Sequence, residues 1–113
     1  PYAAPFRLRR VVVRKVLPAV GETSLQLNFD KAGKLIFAFQ SGADTVGIAY
    51  DASPTSQLRV YFHAGNAFRV ILNERTFDLH RASPKEQKRI RSTGKALHKR
   101  AQALRQALHT LAK

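Results

Sequence analysis

The stretch QLRVYFHAGNAFRVILN, residues 57–73, sets Arg59, Tyr61, His63 and Arg69 at alternate positions of two apolar runs joined by a small-residue turn. Such alternation is the mark of strands with one buried face. Leu58, Val60 and Phe62 share one face, and Phe68, Val70 and Leu72 are expected to do the same. The cations, the phenol and the imidazole therefore fall on the other face. Those groups suit single-stranded nucleic acid, where cations meet phosphates and rings stack on bases at about 1–3 kcal/mol each. Tyr61 has a second reading, since a ring on a sheet can equally pack beneath a covering helix. Upstream, FRLRRVVVRKVL (6–17) supplies Arg7, Arg9 and Arg10 as further phosphate contacts. Arg7 and Arg9 join the same face if Phe6 and Leu8 point inward.

Catalytic chemistry has little to stand on. The four histidines, His63, His80, His98 and His109, are scattered, and there is no cysteine. His98 and His109 could share a helix face, but no acid or thiol accompanies them, so no metal is expected. Asp30, Asp44 and Asp51 are the one set of acids that could converge, and turn chemistry accounts for each singly. No Walker-type loop, G-x-S-x-G or G-x-G-x-x-G occurs. The expectation is a non-enzyme with no cofactor and no small-molecule substrate.

The other chemically distinctive segment is the C-terminal one. Ser83-Pro84-Lys85-Glu86 reads as a capping box with proline in the first helical position. No later proline interrupts, and one helix over about residues 84–112 is predicted. Ile90, Leu97, Leu104 and Leu111 recur every seven residues, interleaved with Gly94, Ala101 and Leu108. A narrow seam of this kind packs on the chain's own sheet or on a partner helix, as in a coiled coil. Mid-helix glycine costs about 1 kcal/mol relative to alanine, so Gly94 on the seam implies a close approach of backbone to a neighbour. The remaining surface includes Lys88, Arg91 and Lys95, with Glu86 as the lone acid. Ordinary solvated helix faces mix signs to gain i,i+4 pairs. An external polyanion is the simplest compensation here, and these three cations are candidate phosphate contacts.

The elements that must position these groups are mostly strands. SLQLNFD alternates, LIFAF is apolar on both faces as in a central strand, and TVGIAYD and TFDLH add shorter runs. DKAGK and SGAD are hairpin-length turns. The phase change between Phe6/Leu8 and Val11/Val13 predicts a bulge near Arg9–Arg10. Short links between strands favour an antiparallel meander, since parallel pairs need long crossovers. The fold expected is α+β: five to seven meandering strands over about residues 6–80, then one long helix, all in a single domain of 113 residues.

Net charge is the abnormal quantity: 20 Lys and Arg against seven acids give +13. Such a charge bears on partners, not on fold, and nucleic acid is the default partner. Most of it sits at the two ends, with residues 81–113 carrying ten cations against Glu86 alone. No apolar stretch approaches the roughly 18 residues of a spanning helix, and Arg14 and Lys15 break VVVRKVL as a signal core. The absence of cysteine fits a reducing compartment, cytoplasmic, nucleoid or nuclear. The chain contains no methionine, so Pro1 is not expected to be a native start.

From about residue 6 to residue 113, the order of strands and then one long helix resembles the plan of Whirly-type and PUR-type single-stranded-nucleic-acid proteins. That resemblance implies pairing through helices and binding on a curved sheet, and it assigns no residue. The function expected is low-specificity binding of single-stranded nucleic acid, DNA ahead of RNA, by a homo-oligomer. The alternatives are a duplex binder using the basic helix and a structural or regulatory protein-interaction domain. Membrane-surface binding ranks last, because the seam lacks Trp and Phe.

Overall fold

Among the described residues, three hairpins of the sheet are closed by the residue chemistry at their turns. The computed structural model describes residues 9–17, 21–42 and 56–111. Six strands, β1 (Arg10–Leu17), β2 (Gly21–Phe29), β3 (Leu35–Ser41), β4 (Gln57–His63), β5 (Asn66–Leu72) and β6 (Arg75–Asp78), precede a single turn of 3-10 helix at Leu79–Arg81 and α1 (Pro84–Leu111). They pair in chain order, all antiparallel, in one sheet. The protein is thus the α+β arrangement expected, a meander followed by a long C-terminal helix.

Between β2 and β3, the Asp30 carboxylate accepts the backbone N–H groups of Ala32 and Lys34, both at 2.9 Å. Asp30 thereby satisfies donors that a tight turn would otherwise strand. The β4–β5 link places Ala64 at φ 50° and Gly65 at φ 83°. Two consecutive positive φ values match the right-handed twist of a two-residue hairpin. Asn73, at φ 55°, turns β5 into β6 and accepts the Gln57 N–H on its side-chain oxygen at 3.0 Å.

One face of the sheet is core. Val11, Leu25, Leu27, Phe29, Leu35, Ala38, Leu58, Val60, Phe62, Ala67 and Val70 are buried there together with Ile90, Leu97 and Ala101 of α1. Burying each large aliphatic side chain contributes about 1.5–3 kcal/mol. The helix begins where predicted, with the Ser83 hydroxyl accepting the Glu86 N–H at 3.3 Å. It crosses the core face beside β5 and reaches the β2–β3 turn, where Arg105 donates to the Gly33 carbonyl at 2.6 Å and lies 5.3 Å from the Phe29 ring centre. Gly94 is why the helix can lie so close: a Cβ there would stand 2.6 Å from the Ala67 Cβ.

The seam therefore packs on the chain's own sheet. Ile90, Gly94, Leu97 and Ala101 are buried in it, and Leu104 and Leu108 are partly buried against the same core. The Leu111 side chain lies outside the described set.

Two bulges alter the faces that alternation predicts. In β3 the register steps from Asn28–Phe37 to Phe29–Leu35, leaving Ile36 as the extra residue, 42% exposed. In β5 it steps from Tyr61–Arg69 to Phe62–Ala67, so Phe68 has no opposite number. Phe68 was expected to point into the core with Val70 and Leu72; instead it is 38% exposed and Ala67 is buried in its place. The register of β1 against β2 is unbroken from Arg10 to Leu17 and sends Val11 and Val13 inward. The predicted strand over 45–51 and the outward position of Arg7 lie outside the described residues.

Candidate nucleic-acid interface

Because α1 occupies the core face, no helix among the described residues covers the face of Tyr61. Tyr61 pairs with Phe37 across β3 and β4 and with Arg69 across β4 and β5. Its ring lies 5.1 Å from Phe37 and 6.5 Å from Phe68, both tilted by about 50°. One position along, Arg59 holds its guanidinium 4.8 Å above the Phe39 ring. Four rings and a stacked cation thus run across the three central strands. Phe37, Phe39 and Tyr61 are half-buried and Phe68 is exposed.

Why the sequence builds this is plain from its period. β3 is apolar on both sides, so Ala38 and Gln40 face the core while Phe37 and Phe39 take the outer face. The bulge then adds Phe68 beside Tyr61. None of these three phenylalanines stood out as a site residue in the sequence. The one available signal was LIFAF itself, whose outward rings no helix among the described residues covers.

The charged groups around the rings differ in what they can still bind. Arg10 projects from β1 onto the outer face and donates to Gln26 Oε1 at 3.0 Å, and the Gln26 amide nitrogen donates to Asn28 Oδ1 at 2.9 Å. Arg14, also outward, is exposed. Arg9 is exposed just before β1, its carbonyl accepting the Phe29 N–H at 2.7 Å. Arg59 is half-buried on Phe39 and reaches the Gln57 side-chain oxygen at 3.5 Å. His63 is exposed at the β4 end, opposite Asn66.

Arg69 is different, because Asp78 on β6 accepts its Nε–H at 2.5 Å. That hydrogen bond and the opposite charge hold the Asp78 carboxyl below, and the Arg69 guanidinium above, their ordinary values. A phosphate would therefore compete with Asp78 for Arg69.

Lys88, Arg91 and Lys95 are exposed on α1, across the core from the rings. The ten candidate residues accordingly do not form one site. Arg10, Arg59, Tyr61, His63 and Arg69 are brought together on the outer sheet face; the three helix cations form a separate basic ridge. Among the described residues no group of His, Asp or Glu could hold a metal ion, and no helix is long and apolar enough to cross a membrane.

Compared with known proteins, the chain matches no family model, no curated protein and no solved structure.

Proposed function

We propose that this protein is a non-enzymatic, low-specificity binder of single-stranded nucleic acid that lays the strand across the outer face of β3–β5. The supporting observation is the helix-free row of Phe37, Tyr61 and Phe68 with Arg59 stacked on Phe39. Bases stack on such rings without regard to sequence, since every base has a π-face. Arg10, Arg14 and Arg59 supply phosphate contacts beside them. A duplex hides its base faces, so the platform favours the single strand.

Anisotropy of labelled oligonucleotides tests this, in DNA and RNA, single and double stranded, at two salt concentrations. Single strands should bind in a length-dependent and salt-sensitive way, and duplexes more weakly. Equal or stronger duplex binding that survives Tyr61→Ala would move the interface to the basic ridge of α1. Absent binding, with protein capture that survives nuclease, would favour a protein-interaction domain.

A further inference from the structure

Between α1 and the β4–β5 hairpin lies a groove of about 420 Å3, on the helix side of the molecule. Its floor is small and apolar, made by Ala67, Leu79 and Gly94. The Gly94–Ala67 approach that seats the helix also hollows this floor, because neither residue projects beyond a methyl group. One wall is a helix flank bearing Arg91, Lys95 and Lys99, spaced four residues apart. Like charges at i and i+4 repel, and no acid lines the groove. Among the described residues these three cations make no ion pair. His98 lines it too, with a buried Nδ1 that has no hydrogen-bond partner.

The volume is more than an inorganic ion needs and lies within the range of about 300–1,000 Å3 usual for organic ligands. We propose that this groove binds an organic phosphate of nucleotide size. The phosphoryl group sits on Arg91, Lys95 and Lys99, and a flat apolar body covers Ala67, Gly94 and Leu79. Charge complementarity selects the phosphate, and the apolar floor selects a ring over a bare anion. The ligand is either a free nucleotide or the 5′-phosphorylated end of a strand. This site does not depend on the sheet-face reading, since the two surfaces lie on opposite sides of the core.

Isothermal titration with adenosine, adenosine 5′-monophosphate, inorganic phosphate and a trinucleotide with or without a 5′ phosphate tests it. The monophosphate should bind at least tenfold tighter than either adenosine or phosphate alone. Lys95→Ala combined with Lys99→Ala should weaken it at least tenfold. Lys31→Ala with Lys34→Ala, exposed cations at the β2–β3 turn that remove the same charge, should change it less than twofold. Tyr61→Ala should also leave it within twofold, whether or not oligonucleotide binding survives. A phosphorylated trinucleotide at least tenfold tighter than the monophosphate identifies a strand end, and one of equal or lower affinity a free nucleotide. Adenosine or phosphate binding as tightly as the monophosphate, or equal losses in the two lysine pairs, would overturn the proposal.

Discussion

Tyr61 is the residue on which the interface turns, because its ring touches Phe37 on one side and approaches Phe68 on the other. A stacked base is worth about 1–3 kcal/mol, so Tyr61→Ala should weaken single-strand binding by about 5- to 150-fold. Phe68→Ala is the cleaner partner variant, since that ring is 38% exposed and its loss takes little from the core. Anisotropy titrations check both, with thermal melts to confirm folding. Asp78 has the opposite influence. Asp78→Asn frees Arg69 from its pair and should tighten binding while steepening the salt dependence by about 0.7 in log–log slope, one further phosphate contact. The same variant has a pH signature. The Asp78 carboxyl is held below its ordinary value, so its stabilising effect is present above the unfolded carboxylate range and lost as pH falls through the lowered value. The gap in melting temperature between wild type and Asp78→Asn should therefore close on acidification below about pH 4. A gap independent of pH would show that the ion pair does not stabilise the fold.

At the scale of elements, the docking of α1 on β5 depends on Gly94. Alanine there would gain about 1 kcal/mol of helix propensity, but its Cβ would lie 2.6 Å from that of Ala67. Overpacking of this kind costs about 1–3 kcal/mol, and the neighbour is strand β5, which cannot yield as a flexible side chain would. Gly94→Ala should be destabilising on balance, and Ala67→Gly should recover part of the loss in a double-mutant cycle read by denaturant melts. At the helix start, Ser83→Ala should cost about 1 kcal/mol through the lost cap. Both features were legible in the sequence: glycine on a heptad seam implied a close approach, and Ser83-Pro84 with Glu86 implied a start. The strand faces were legible only where alternation ran unbroken, as in Leu25, Leu27 and Phe29. A bulge adds a residue without leaving a compositional mark, so the outward turn of Phe68 could not be read from FRVIL. The rings at Phe37 and Phe39 were visible as two-sided apolarity. Which side the helix would leave bare depends on how a distant segment docks, and local sequence does not encode that.

As a whole the molecule is a slab of about 53 × 37 × 19 Å, with a helix on one broad side and an aromatic, cation-flanked sheet on the other. The net charge of +13 steers it toward polyanions in general, whereas the rings set what kind of polyanion is held. Arg10, Arg14 and Arg59 are the outer-face cations not already paired with an acid among the described residues. Three phosphate contacts on a single strand give a log–log salt slope near −2, which binding curves from low to moderate salt should return. The most direct test is a 1H–15N titration of the labelled protein with a short thymidine oligomer that carries no 5′ phosphate. The account predicts the largest shifts at residues 37–39, 59–63 and 68–69, with α1 between residues 84 and 100 little changed. Shifts confined to α1, with the aromatic strands unmoved, would contradict it.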